Sequence, residues 1–163
     1  MGRPGPGVCV DAAREKSEEE RTEEAIVKKH TLSVLAYVLA TFTTQALSHF
    51  VVNAGHYATV GYMRAEPIFP LGVASMIVQG TIFSYLYSRM AMPRASMSHA
   101  VGFSWLVGGV LVSYIALAEP AKYAVPAVLP WMAIEALAGF VQFTVFGVLL
   151  GLVYRGQVST AAA

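Results

Sequence analysis

The stretch Val125–Val153, VPAVLPWMAIEALAGFVQFTVFGVLLGLV, holds a single charged side chain, Glu135. A helix rises 1.5 Å per residue, and about 20 apolar residues cross the hydrocarbon of a bilayer. The stretch is long enough to span. In lipid the backbone must satisfy its own N–H and C=O groups, so an apolar run of this length is a helix. Pro126 and Pro130 fall in the first turns, where helical N–H groups lack an internal partner and proline is tolerated.

Three further runs repeat the pattern: Thr31–Val52, Ile68–Tyr87 and Ala100–Ala118. Pro67 and Pro70 open the second, Pro93 separates the second from the third, and Pro120 breaks the chain after the third. The fold expected is all-α: a transmembrane four-helix bundle over residues 30–155. A charged cytosolic tail precedes it at 1–29, and a short C-terminal tail follows at 156–163. No internal repeat is visible.

Composition supports this. The chain is 56% hydrophobic and 13% charged, against about a quarter charged in soluble domains. Its net charge of +1 averages a charged tail, Arg3 to Lys29, with a nearly uncharged body. No basic field suggests nucleic acid as a partner. Cys9 is the only cysteine, which excludes an internal disulfide, a Cys-x-x-Cys redox site and a thiolate zinc site; a free surface thiol is the simple reading. The Gly- and Pro-rich start and the acidic run after it do not read as a secretory signal. From Asp11 to Lys29, glutamates and basic residues recur at spacings of three and four, which favours helix. That segment has little to bury and reads as a solvated or frayed helix, with partner docking as the alternative.

Basic residues near helix ends set orientation. Lys28, Lys29, Arg89, Arg94 and Arg155 fall at one end of a four-span chain, and Arg64 and Lys122 at the other. Both termini are therefore expected in the cytoplasm. Tyr57, Tyr62, Tyr123 and Trp131 would mark the outer interface.

Polar groups in the bilayer are costly and need an account. Gln45, His49, Asn53 and His56 share one face of the first helix, Ser75 and Gln79 one face of the second, and Glu135 and Gln142 one face of the fourth. At 1.5 Å per residue, Gln45 lies roughly 12 Å below Asn53, Glu135 roughly 13 Å below Pro126, and Gln79 roughly 18 Å below Pro67. His49 lies roughly 6 Å below Asn53. Gln45, Gln79 and Glu135 are thus expected to meet near mid-membrane, with His49 above them. A protonated Glu135 would donate to Gln45 or Gln79, and a charged one would pair with His49. Such a cluster either fastens the helices together or serves proton-linked transport or ligand binding.

A metal reading of His49 and His56 is weak. Seven residues separate them by roughly 10.5 Å along the axis, whereas zinc motifs on helices use a separation of four. Haem held by both histidines fits less well still. No cofactor or metal is expected. In the loop Asn53–Pro70, Arg64 either pairs with Glu66 or binds an anionic group, and the loop is either a lid over the outer mouth or a plain connection. Small residues form stripes at Ala100, Ser104 and Gly108 and at Gly139, Gly147 and Gly151, suited to close helix packing.

The segment EPIFPLGVASMIVQG, Glu66–Gly80, with the polar His49–Tyr57 segment before it, resembles uncharacterised small bacterial four-span inner-membrane proteins. That resemblance implies a bacterial inner membrane and supplies no activity. Two functions follow as expectations. One is a non-catalytic accessory or structural component of a membrane assembly, partnered by another membrane protein or a second copy. The alternative is a proton-linked transporter or small-ligand-binding bundle using Glu135, His49, Gln45 and Gln79, with Asn53, His56 and Arg64 nearby. An enzyme would need a nucleophile or metal, and neither is clear.

Overall fold

The structure is a computed structural model that describes residues 6–62, 64, 66–90 and 96–155, with side chains at 14 and from 16 onward. Arg94, the side chain of Cys9 and the tail at 156–163 lie outside the described residues. The fold is all-α, with no strand among the described residues. Helix α1 runs Pro6–Leu47 and passes into a π-helical turn, Ser48–Val52. A short α2, Ala54–Tyr57, follows, then α3, Phe69–Met90. Helix α4, Met97–Ser113, continues through a second π turn, Tyr114–Ala118, into α5, Glu119–Lys122. Helix α6 is Val128–Tyr154. Four segments are long and apolar enough to cross a membrane: Lys16–Val52, Phe69–Met90, Met97–Lys122 and Val128–Tyr154. The protein is a polytopic membrane protein.

The charged stretch is helical and enters the first span without a break. Exposed pairs at i,i+4, Arg14–Glu18 at 3.2 Å and Lys16–Glu20 at 4.0 Å, support it. Helix α6 is the most buried span: 44% of its most apolar stretch is covered, against 17% for α3. It packs on α4 and α1, α1 packs on α3, and α3 and α4 barely touch. Tyr87 of α3 meets Phe103 of α4 at 5.2 Å, and few other contacts join the two helices.

The stripes of small residues explain the α4–α6 contact. A Cβ on Gly147 would lie 2.7 Å from the Val101 Cα, so only glycine lets the backbones come this close. Gly108 faces Phe143, Gly139 faces Val112, and Gly151 faces Met97. The Ser104 hydroxyl donates to the Phe143 carbonyl at 2.5 Å across the same seam. Close approach gains dispersion contacts where lipid offers no hydrophobic drive. Tyr37 fills the centre, edge-on to Phe83 and Phe146 at 5.2 and 5.0 Å. At the end where the chain begins, Tyr87 and Tyr154 meet at 4.8 Å, and His30 Nδ1 lies 2.8 Å from Ser84 Oγ.

Both π turns lie at the opposite end. Pro120 does not stop the chain at Ala118; the helix continues to Lys122, with the proline taken into the first turn of α5. Its effect is local. Glu119 N–H bonds to the Tyr114 carbonyl in the π pattern, so the Ile115 carbonyl next in line would look to residue 120. Proline has no N–H to offer. The Trp131 indole N–H donates to that carbonyl instead, at 3.1 Å.

Candidate functional site

Glu135 sits on α6, 6% exposed. Its bonded partner is none of Gln45, Gln79 or His49: the Tyr57 hydroxyl donates to Glu135 Oε1 at 2.6 Å. Tyr57 reaches it because the π turn ends the first span and Asn53 starts α2 folding back over the bundle mouth. Asn53 N–H bonds to the Ser48 carbonyl at 2.9 Å, and its side-chain amide donates to Ser48 Oγ at 3.0 Å. The Tyr57 ring then stacks on His49 at 3.8 Å and 11° and meets Trp131 edge-on at 6.2 Å. Tyr57, Val60 and Trp131 form a buried cluster of their own. Burial raises the Tyr57 hydroxyl above the ordinary tyrosine range, and the hydrogen bond accepted by Glu135 adds to the rise. Tyr57 thus stays a donor.

Below this cap the amides form two chains. Gln45 Nε2 donates to Gln142 Oε1 at 2.7 Å, and Gln142 Nε2 donates to Thr41 Oγ1 at 3.0 Å. Tyr37 donates to Gln79 Oε1 at 2.5 Å, and Gln79 Nε2 donates to Ser75 Oγ at 3.2 Å. Gln45, Gln79, Glu135 and Gln142 all line one chamber of about 280 Å³, walled by all four spans.

The remaining candidates lie elsewhere. His49 and Arg64 line a larger cleft of about 720 Å³ between α1 and the start of α3. His49 Nδ1 is 3.1 Å from the Gln45 carbonyl; a carbonyl only accepts, so Nδ1 carries the proton. Asn53 lines an apolar groove of about 690 Å³ between α1 and α6. His56 stands 5.9 Å from Trp131, with its Nε2 buried and unbonded among the described residues. Among the described residues no ion pair joins Arg64 to Glu66. Among the described residues no group of three metal-ligating side chains comes together.

Cleft and chamber are neighbours: Gln45, Gly72 and Met76 line both. A Cβ on Gly72 would meet nothing within 4 Å, so the backbone there borders open space. Sequence reasoning set Gln142 on the face of Glu135 and missed Tyr57, Tyr37 and Thr41 as site residues. A signal existed for two of them. Tyr37 and Thr41 precede Gln45 at steps of four and extend its polar stripe inward.

The fold and these polar groups define a helical membrane protein with a part-open chamber between its spans, mostly apolar and lined by a few polar side chains. Compared with known protein families, curated proteins and solved structures, the chain finds no match in any of the three.

Proposed function

We propose that the protein binds a small molecule within the membrane, holding it in the chamber and the adjoining cleft. The observation that carries this reading is the shared wall: Gln45, Gly72 and Met76 border both spaces. Amides, a carboxyl and hydroxyls converge there inside an apolar bundle, the mix of few polar groups and many apolar ones that ligand sites use. Transport linked to Glu135 would build on the same site. The accessory reading has one support of its own, the apolar groove between α1 and α6, an apolar face that a partner helix could pack against. The Gly-rich seam does not add to it, since Gly147 is occupied by Val101 within the chain.

The setting proposed is a bacterial inner membrane with both termini cytoplasmic. Supporting it are the resemblance of Glu66–Gly80 and the basic residues Lys28, Lys29, Arg89 and Arg155 at one end.

Gly72→Leu tests the binding reading. It fills the shared wall without displacing a neighbour at its Cβ. Wild type purified in mild detergent should carry an extractable small molecule in near-stoichiometric amount, detected by mass spectrometry. The variant should carry much less, with an unchanged circular dichroism spectrum. Equal amounts in both proteins, or no enrichment over solubilised membrane, overturns the reading.

A further inference from the structure

The outer cleft has a chemistry that narrows its occupant. It lies between α1 and the start of α3, with Phe42, Phe50 and Phe69 exposed along it. In a membrane these rings face acyl chains. Arg64, in the loop between the first two spans, lines the same cleft, and Glu66 does not. Among the described residues Arg64 takes part in no ion pair. A guanidinium at the edge of an apolar cleft is suited to two parallel hydrogen bonds from a carboxylate or phosphate. His49 Nδ1 faces the Gln45 carbonyl, and Arg64 is the one lysine or arginine among the described residues that line the cleft. The volume of about 720 Å³ falls within the range of about 300–1,000 Å³ found for sites that hold one small ligand.

We infer that this cleft takes a single-chain anionic amphiphile from the surrounding leaflet, its carboxylate on Arg64 and its chain between Phe42 and Phe69. The inference rests on the binding reading above and names the ligand class. The head sits at the interface, where Arg64 is. The chain lies below, where the aromatic walls are. A neutral alcohol of equal length would fill the same walls and leave Arg64 without its anion.

Palmitate, palmityl alcohol and phosphatidylglycerol serve as probes. Each is added to the protein in mild non-ionic detergent, and adducts are counted by native mass spectrometry. Palmitate should add once per chain, and palmityl alcohol should add far more weakly. Arg64→Gln should weaken palmitate by about tenfold or more, as expected for loss of a charge-assisted hydrogen bond, while Arg64→Lys should keep most of the affinity. Arg64 is exposed, so these changes leave the core intact. Equal binding of alcohol and palmitate, or an Arg64→Gln variant that binds palmitate as well as wild type, overturns the inference. So does selective binding of phosphatidylglycerol, which would assign a two-chain lipid. If Gly72→Leu removes the co-purified molecule while Arg64→Gln leaves palmitate unaffected, the binding reading stands and the anionic class falls.

Discussion

The indole N–H of Trp131 donates to the backbone carbonyl of Ile115 at 3.1 Å, the carbonyl that Pro120 leaves without a helical donor. Two residues far apart in chemical type thus compensate one another across the α4–α6 contact. Trp131→Phe keeps an aromatic ring at this buried position, removes the donor and is smaller than the indole. A buried carbonyl left unbonded costs about 1–3 kcal/mol, so the variant should unfold at a lower temperature in detergent, followed by circular dichroism. Pro120→Ala restores an N–H next to that carbonyl. The double variant should therefore lose less than the sum of the two single changes; strict additivity would disprove the compensation.

Tyr57→Phe removes the hydroxyl that Glu135 accepts at 2.6 Å. The carboxyl then has no bonded partner among the described residues, and stability should fall by about 1–3 kcal/mol. Glu135→Gln keeps an oxygen acceptor at the same place and should cost less than about 1 kcal/mol. Unfolding in a graded sodium dodecyl sulfate mixture measures both. A larger loss for Glu135→Gln than for Tyr57→Phe would show that the carboxyl does more there than accept this hydrogen bond.

Gln45 and Gln142 tie α1 to α6 through a 2.7 Å amide bond. Interhelical polar bonds in membranes average about 0.6 kcal/mol and reach about 1.7. A double-mutant cycle with Gln45→Leu and Gln142→Leu should give a coupling energy in that range. A coupling near zero would mean that the pair does not hold the helices.

Gly147→Leu should separate α4 from α6, because even a Cβ there would lie 2.7 Å from the Val101 Cα. Overpacking of this kind costs about 1–3 kcal/mol and sometimes more. Gly102→Leu is the control: a Cβ there meets nothing within 4 Å. The two variants should differ sharply in yield of folded protein by gel filtration.

Orientation can be read by labelling. In a Cys9→Ser background, Ser17→Cys should react with a membrane-impermeant maleimide only after the inner face is opened, and Ala124→Cys should react in intact cells. Both positions are exposed. The reverse pattern would invert the proposed topology.

Much of this molecule follows from local sequence. Hydropathy over Val125–Val153 and its three counterparts defines four spans, because transfer to lipid is a sum over neighbouring residues. Small residues at helical spacing marked the α4–α6 seam, and a period near 3.6 placed Gln45 on one face and Gln142 on Glu135's face. The sequence could not say that Glu135 takes Tyr57 as its partner. Gln45 and Gln79 were equally plausible from depth, since counting residues gives height along an axis and leaves out rotation and fold-back. Those were decided by the π turn at Ser48–Val52, which sends α2 back over the mouth, and by the closeness of α1 to α6, which pairs Gln45 with Gln142. The order of residues along the chain thus determined that the protein crosses the bilayer and which groups it carries inward. Only the tertiary structure decided which polar group satisfies which, because a hydrogen bond depends on the relative rotation of two helices to within a few tenths of an ångström.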